Sequence, residues 1–211
     1  MSFVIGLTGG VATGKTSVSG IFKKLGANVI SADNIAHKLL KPGNICWTDI
    51  IKHFGKAILE KDSTIDRKKL GKIIFSNKKE RNILNKITHP RIIKEIKREI
   101  SLLKTSNHGK KIIVVEAPLL IEANALNLVD KVIVVTADKE TQIKRLSNKK
   151  PFLTRNDALK IINSQLPINK KIKYADAKAR CYIIDNNSTL KNTEKQVRLL
   201  YNTLTPLGNF L

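Results

Sequence analysis

The residues best suited to chemistry lie near the start of the chain, where Gly9, Gly14, Lys15 and Thr16 follow one spacing rule. The rule is a glycine, four residues, a second glycine, a lysine, and a serine or threonine. Glycines let backbone N–H groups approach a ligand closely, and a curl of such groups binds an anion. Lys15 at this spacing reaches the β- and γ-phosphates of a nucleotide, and the Thr16 hydroxyl ligates Mg²⁺. The spacing therefore predicts a phosphate-binding loop.

Two carboxylates follow apolar segments that favour β-strands. Asp33 comes just after "NVIS" (28–31), and in a doubly wound sheet ligands bind beyond the carboxyl ends of the strands. A carboxylate there can orient a hydroxyl for in-line attack, a role that we favour over, and that is compatible with, a simple helix cap. Glu116 in "IIVVEAPLL" either polarises a magnesium-bound water or is a solvated charge at a strand end, and the sequence leaves both open.

The elements that must position these residues are short apolar runs, most of them continuous rather than alternating. They are "FVIGL" (3–7), "NVIS" (28–31), "KIIVVEA" (111–117), "KVIVVT" (131–136) and "CYIID" (181–185). Continuous apolar strands are typical of a parallel sheet that is buried on both faces. Helical patterns over 15–26, 138–146 and 188–204 alternate with these strands. The alternation predicts an α/β fold with a doubly wound, five-stranded parallel sheet.

Two segments interrupt this alternation. Residues 34–108 contain no strong strand and have the pattern of several helices. Pro90 in "ITHPRI" is expected to end one of them and begin the next, because proline fits the first turn of a helix better than its interior. Residues 147–180 are polar and lysine-rich, and they predict a mobile helical flap. The core then comprises residues 1–33, 109–146 and 181–211 of one chain.

The composition narrows the classes of protein. The chain has 211 residues and a net charge of +22, which by itself suggests a polyanionic partner. The basic residues are spread along the chain and aromatic residues make up only 5%, so we expect small polyanionic molecules rather than nucleic acid. No apolar run approaches the roughly 20 residues of a membrane span, and no signal peptide is recognisable, so we expect a cytoplasmic protein without a membrane partner. Cys46 and Cys181 are expected to be free, buried thiols.

Taken in order along the chain, several stretches resemble the dephospho-coenzyme A kinase family. They are "IGLTGGVATGKTSV" (5–18), "ISADNIAHKLLKPG" (30–43), "IDRKKLGKIIFSN" (65–77), "ITHPRI" (87–92), "APLLIEA" (117–123), "QIKRL" (142–146), "INSQLP" (162–167) and "IIDNN" (183–187). The opening loop is shared by many kinases, whereas the combination that follows it is much more specific. The resemblance implies a P-loop kinase fold with a helical acceptor-binding insertion (34–108) and a lid (147–180). It also implies that ATP phosphorylates the ribose 3′-hydroxyl of dephospho-coenzyme A, giving coenzyme A and ADP.

The resemblance also implies a set of site residues. The backbone of Gly10, Val11, Ala12, Thr13, Gly14, Lys15, Thr16 and Ser17 would hold the phosphates of ATP, and Thr16 would ligate Mg²⁺. Lys15, Asp33 and Arg145 would be catalytic, with Asp33 as the carboxylate and Arg145 reaching the transferring phosphoryl group. The acceptor would be bound by Asp33, His89, Arg91, Leu119 and Glu122.

The chain departs from the family pattern in the loop and in the lid. The family usually has glycine where this chain has Ala12, and we expect that peptide to avoid a strongly positive φ. The lid usually carries an arginine shortly after the position of Arg145, and here Lys149 or Lys150 is expected to stand in for it. A lysine keeps the charge but loses the bidentate fork of a guanidinium.

Two rival functions remain at this point. A nucleoside monophosphate kinase, or another small-molecule P-loop kinase, would use the same loop with a different acceptor. A nucleotide-switched nucleic-acid-binding protein would account for the charge, but the chain lacks the Asn/Thr-Lys-x-Asp segment of GTPases after a late strand. The oligomeric state and the preferred nucleotide do not follow from the sequence.

Overall fold

The computed structural model of the chain describes residues 3–106 and 112–205, so Lys111 of the predicted third strand lies outside the described residues. The strands are β1 (Phe3–Gly9), β2 (Asn28–Ser31), β3 (Ile112–Glu116), β4 (Lys131–Thr136) and β5 (Arg180–Asp185). The helices are α1 (Lys15–Lys24), α2 (Ala32–Leu39), α3 (Ile45–Phe54), α4 (Arg67–Ser76), α5 (Lys78–Ser106), α6 (Lys139–Lys149), α7 (Arg155–Asn163), α8 (Ile168–Lys178) and α9 (Leu190–Leu204). Short 3₁₀ turns cover Lys56–Ile58 and Leu126–Leu128.

The sheet has five parallel strands in the order β2-β3-β1-β4-β5, which confirms the predicted fold class. β1 lies at the centre, with β3 and β4 on either side. Every residue of β3 is buried, as expected for a strand that is covered on both faces. Because all the strands run in one direction, their carboxyl ends share one edge of the sheet, where β1 ends at Gly9 and β3 at Glu116.

The chain forms two compact units. The first comprises the described residues of Met1–Ser31 and Ile100–Leu211, and the second comprises Ala32–Glu99. In the first unit, α1 and α9 contribute Phe22 and Val197 to an apolar core with the β1 side chains Ile5 and Leu7. On the opposite face, a Cβ added to Gly6 would lie 2.5 Å from Leu120 Cδ2, so the chain that follows β3 packs directly on the β1 backbone.

The second unit has its own smaller core. Ile50 of α3, Ile58 of a 3₁₀ turn and Leu70 of α4 are buried together, and partly buried apolar side chains from α5, such as Leu84, pack against them. The N-terminus of α4 is capped by Asp66, whose carboxylate accepts hydrogen bonds from the amides of Lys68 and Lys69. This small helical unit therefore has a buried interior of its own and a side-chain cap at the start of α4.

The predicted helix break at Pro90 is wrong, because α5 runs without interruption through the proline over 29 residues. Proline removes one backbone donor from a helix and disturbs the carbonyls of the preceding turn. Two side chains near the proline bond to carbonyls of the same helix: the Thr88 hydroxyl donates to Leu84 O at 2.8 Å, and Arg91 Nη1 donates to Ile87 O at 2.7 Å. These side-chain bonds add to the backbone hydrogen bonds of the helix next to the proline.

The two cysteines are free, as predicted, although only Cys46 is fully buried and Cys181 is half-buried. Burial raises the pKa of the Cys46 thiol, and it raises that of Cys181 to about 11. Both thiols are therefore protonated at neutral pH and are poor nucleophiles. Among the described residues, no helix is both long and apolar enough to cross a bilayer.

Candidate active site

The predicted phosphate-binding loop connects β1 to α1 at the carboxyl edge of the sheet. Gly14 caps the start of α1 with a left-handed φ of 93°. A Cβ at this position would lie 2.0 Å from Asn186 Nδ2, so both the backbone conformation and the packing require glycine. The N-terminus of α1 therefore meets the loop with its positive dipole end, which is favourable for binding an anion.

The carbonyls of the loop are held from the side of β5 and α6. Asn186, just after β5, donates from Nδ2 to Thr13 O at 2.7 Å and accepts from the buried Thr193 hydroxyl at 2.6 Å. Arg145 of α6 donates from Nη1 to Ala12 O and Thr13 O, both at 3.3 Å, and from Nη2 to Asn186 O at 2.8 Å. These bonds fix the curl of the loop, and sequence reasoning assigned no role to Asn186 although it lies in the quoted "IIDNN".

The predicted phosphate ligand Lys15 is buried, with 9% of its surface exposed. Its ammonium donates to Gly10 O at 2.6 Å and to Gly9 O at 3.3 Å, both at the start of the loop. The side chain therefore folds back along the curl rather than extending into solvent. A cation in this position lies within the loop that is predicted to bind the phosphates.

Glu116 is not the solvated strand-end charge that the sequence left open as one alternative, because its carboxylate is buried. It accepts hydrogen bonds from the Thr16 hydroxyl at 2.8 Å and from the Ser19 hydroxyl at 2.7 Å. A hydroxyl and a carboxylate are hard oxygen donors of the kind that Mg²⁺ prefers, and Mg²⁺ commonly takes only one or two protein ligands beside phosphate and water. The donor set at Thr16 and Glu116 therefore fits a magnesium ion.

The segment between α7 and α8 also reaches the loop. Gln165 Oε1 accepts a hydrogen bond from the backbone N–H of Val11 at 2.7 Å. A cavity of about 430 Å³ lies here, lined by residues that include Gly10, Gln142 and Gln165. The predicted lid lysines, Lys149 and Lys150, are exposed at the end of α6. Sequence reasoning missed Gln165, because its partner is a backbone amide far away along the chain.

The expected acceptor turn after β3 is held by a buried lysine of α8. Lys171 has none of its surface exposed, and its ammonium lies 2.8 Å from Glu122 Oε1 and 2.8 Å from Pro118 O. The Thr8 hydroxyl of β1 donates to the same Pro118 carbonyl at 3.2 Å. Leu119 in this turn is 39% exposed and so can contact a ligand. Thr8 thus connects the turn to the central strand, and Lys171 connects it to α8. Lys171 was not singled out from the sequence.

The other predicted residues lie in the second unit. Asp33 is the second residue of α2 and lines a cavity, and in the described chain its carboxylate has no hydrogen-bond or ion-pair partner. It is therefore not engaged as a helix cap. Arg91 forms an ion pair with Asp49, with Nη2 2.5 Å from Oδ2. The half-buried His89 precedes Arg91 by two residues on α5. Neither His89 nor Arg91 lines the cavity that contains Asp33.

The expectation for Ala12 is wrong, because this residue takes a left-handed φ of 55°. Only a small region of positive φ is open to residues with a Cβ, and alanine enters it at a cost. The carbonyl of Ala12 accepts from Arg145 Nη1, and this contact helps to hold the peptide in that conformation. The loop therefore keeps its curl without the glycine that the resemblance led us to expect.

Comparison with known proteins gives a consistent result. Residues 3–192 match the model of a family described as "Dephospho-CoA kinase". A dephospho-CoA kinase from Carboxydothermus hydrogenoformans is 44% identical over 194 residues, which cover 92% of this chain and 90% of that protein. The solved dephospho-CoA kinase from Campylobacter jejuni is 33% identical, with a TM-score of 0.70 over 100% of both chains. A shikimate kinase from Acinetobacter baumannii covers 100% of this chain at 16% identity with a TM-score of 0.56, which indicates a shared fold.

The strained loop residue gives a first prediction. We expect Ala12→Gly to raise the free energy of unfolding by up to about 1 kcal/mol. Removing the Cβ relieves roughly 1–2 kcal/mol of left-handed strain, and the added freedom of glycine in the unfolded chain offsets part of this gain. Urea unfolding measures the difference. As a control, Ala177→Gly on the exposed side of α8 should instead lose up to about 1 kcal/mol, and an equal loss at Ala12 would contradict the argument.

The buried ion pair gives a second prediction. Lys171→Met should lower the free energy of unfolding by about 3 kcal/mol, because Glu122 and the Pro118 carbonyl lose their buried partner. The double variant Lys171→Met with Glu122→Gln should recover part of this loss, since no carboxylate is then left unpaired. Lys170→Met, which changes the exposed neighbouring lysine, should stay within about 0.5 kcal/mol of the unmodified chain. Strictly additive losses in the double variant would show that the pair is not coupled.

Proposed function

The chain belongs to the dephospho-coenzyme A kinase family, and from that membership we propose how its residues divide the work of the reaction. The chain phosphorylates the ribose 3′-hydroxyl of dephospho-coenzyme A with ATP, giving coenzyme A and ADP, the last step of coenzyme A synthesis. The observation that carries this conclusion is the family match over residues 3–192, in a chain whose first unit contains the phosphate-binding loop. Because ATP is the donor, we also propose that the protein works in the cytoplasm.

We propose that the loop residues Gly10–Ser17 and the ammonium of Lys15 bind the phosphates of ATP. The curl of the loop, its bonded carbonyls and its position at the start of α1 support this assignment. Thr16 and Glu116 would hold Mg²⁺, which when bound neutralises part of the negative charge on the phosphates. The Ser19 hydroxyl donates to the other oxygen of Glu116 and so keeps the carboxylate oriented.

Asp33 is the residue that we propose as the catalytic carboxylate. Its position in the first turn of α2, its exposure and its lack of a partner among the described side chains support this role. The carboxylate would accept a hydrogen bond from the ribose 3′-hydroxyl and orient the oxygen for in-line attack on the γ-phosphorus of ATP. It would take up the hydroxyl proton as the new oxygen–phosphorus bond forms and the bond from the γ-phosphorus to the bridging oxygen breaks, releasing ADP. Phosphoryl transfer has a loose, anionic transition state, so positioning of the two substrates accounts for most of the rate.

We also propose roles for Arg145, for the lid lysines and for the residues that bind the acceptor. Arg145 lies against the loop carbonyls of Ala12 and Thr13, which supports a place beside the transferring phosphoryl group as well as a role in shaping the loop. The exposed Lys149 or Lys150 would supply the lid cation. For the acceptor, the exposed Leu119 and the fixed carboxylate of Glu122 support contact in the first unit. In the second unit, His89 and Arg91 of α5 are both half-buried, so part of each side chain can contact the acceptor.

The acceptor specificity is tested by a panel of alcohols and nucleotides. With ATP as donor, we expect turnover of dephospho-coenzyme A and at least about 10²-fold lower kcat/KM for AMP, CMP and shikimate. Formation of ADP measures all four reactions in one coupled assay. Comparable turnover of AMP or CMP would point to a nucleoside monophosphate kinase, and comparable turnover of shikimate would show that acceptor choice follows the shared fold rather than the family.

The role of Asp33 is tested by Asp33→Asn. The amide keeps the shape but cannot take up a proton, so we expect kcat to fall by at least about 10²-fold while the affinity for ATP changes little. Glu99→Gln removes the same charge from α5 in the same unit and should leave kcat within about twofold of the unmodified enzyme. Unchanged turnover in Asp33→Asn would exclude this carboxylate from the chemistry.

A further inference from the structure

The second unit contains a cavity of about 700 Å³ that is lined in part by Asp33. Its apolar lining comes from Leu40, Ile65 and Leu70, and its polar lining includes Asp33, Lys41 and Arg67. A volume of this size is typical of a site for a small molecule, and an apolar wall with a few charged groups is the usual composition of such sites. We name it the α2–α4 cavity after the two helices that line it.

One cation of the α2–α4 cavity is oriented by a histidine, and neither cation is used in an ion pair with another described residue. Arg67 Nη1 donates a hydrogen bond to His37 Nε2 at 2.6 Å, so the histidine accepts and its ring orients the guanidinium. In the described chain, Arg67 has no carboxylate partner and Lys41 is in no ion pair. Most of the guanidinium donors and the lysine ammonium are therefore available to an anion.

Helix geometry places the carboxylate of α2 close to the basic side chains of the cavity. Asp33 and His37 lie four residues apart on α2, so they are neighbours on one face, with Cβ atoms about 5–6 Å apart. Arg67 bonds to that histidine, and Lys41 follows the end of the same helix. A ligand that touches Asp33 in this cavity therefore has the Arg67 guanidinium roughly one helical turn away.

We propose that Arg67, oriented by His37, binds together with Lys41 the 5′-diphosphate of dephospho-coenzyme A. This inference rests on the proposed function, in which Asp33 orients the ribose 3′-hydroxyl. Only a short chain of ribose atoms separates the 3′-hydroxyl from the 5′-diphosphate, so the phosphates must lie near Asp33 whichever way the nucleotide turns. The cations beside Asp33 in the α2–α4 cavity offset the repulsion between its carboxylate and a dianionic group, and a guanidinium fork matches phosphate oxygens.

The apolar lining gives the remaining part of the substrate a place. Beyond the diphosphate, dephospho-coenzyme A continues into an arm with a dimethyl group, and on the other side of the ribose it carries adenine. Leu40, Ile65 and Leu70 offer either group an apolar surface within the same cavity. Acceptors without a diphosphate would leave these cations unpaired. Arg67 and Lys41 together therefore favour acceptors that carry a diphosphate.

The test is the equilibrium affinity of Arg67→Met for dephospho-coenzyme A, measured by calorimetry. We expect affinity to fall by at least roughly 10-fold, the effect of losing one charge-assisted hydrogen bond. Affinity for ATP should change by less than about twofold. The affinity of Arg67→Lys for dephospho-coenzyme A should lie between those of Arg67→Met and the unmodified chain, since lysine keeps the charge and loses the fork. Lys61→Met removes an exposed lysine of the same unit outside the cavity and should behave as the unmodified chain.

A second ligand identifies the group that is recognised. Adenosine has the same ribose and base without the diphosphate, so Arg67→Met should bind it within about twofold of the unmodified chain. An equal loss for adenosine and dephospho-coenzyme A, or no loss for dephospho-coenzyme A, overturns the proposal. Should Arg67→Met fail to fold, Lys41→Met is judged by the same two ligands. If the unmodified chain does not phosphorylate dephospho-coenzyme A, the proposed function fails, whereas an active enzyme indifferent to Arg67→Met refutes the diphosphate site alone.

Discussion

The first unit depends on one constraint: a loop whose amides are to bind an anion must have its carbonyls bonded elsewhere. Asn186 and Arg145 meet this constraint by donating to the carbonyls of Thr13 and Ala12. Backbone carbonyls left pointing at the same space would repel phosphate, and buried carbonyls without donors would cost stability. Gly14 is then fixed in turn, because the Asn186 amide occupies the space that a Cβ would need. The loop is thus preorganised by residues well over a hundred positions away in the sequence.

The carboxyl edge of the sheet carries a second polar arrangement that is consistent with the first. Glu116 ends a fully buried strand, and a buried carboxylate is tolerated only when its oxygens are hydrogen-bonded. Hydroxyls from one face of α1, at Thr16 and Ser19, provide those bonds and hold the start of the helix against β3. The same Thr16 is the hydroxyl that the loop motif assigns to magnesium. The atoms that hold the start of α1 against β3 are therefore the same ones that we propose for Mg²⁺, so a change at Glu116 is expected to affect both.

The sequence predicted the parallel sheet and the loop well, because both depend on short-range patterns. Continuous apolar runs mark buried strands, and the spacing of Gly9, Gly14 and Lys15 is local. At Pro90 the helix continues against the local backbone preference, and the side-chain bond from Arg91 beside the proline lies within the same helix. At Ala12 a distant side chain, Arg145, bonds to the carbonyl of a residue in a disfavoured backbone conformation. Asn186 and Lys171 were missed for a related reason. Their partners, Thr13 O and Glu122, are distant in sequence, and spacing alone gives no indication of such contacts.

The net charge of +22 gains meaning only when the environment of individual cations is considered. Lys171 is wholly buried and bonded to Glu122 and Pro118, so its charge serves packing and is not available to a ligand. Lys15 is buried within the loop that we propose for phosphate, and Arg67 and Asp33 line the same cavity of the second unit. An enzyme that transfers a phosphoryl group between two polyanionic substrates needs positive charge near both, because the two substrates repel each other. On the proposed function, the cations that bind substrate are those that line the cavity of Asp33 and those in the loop, whereas the many exposed lysines add only a general attraction for anions.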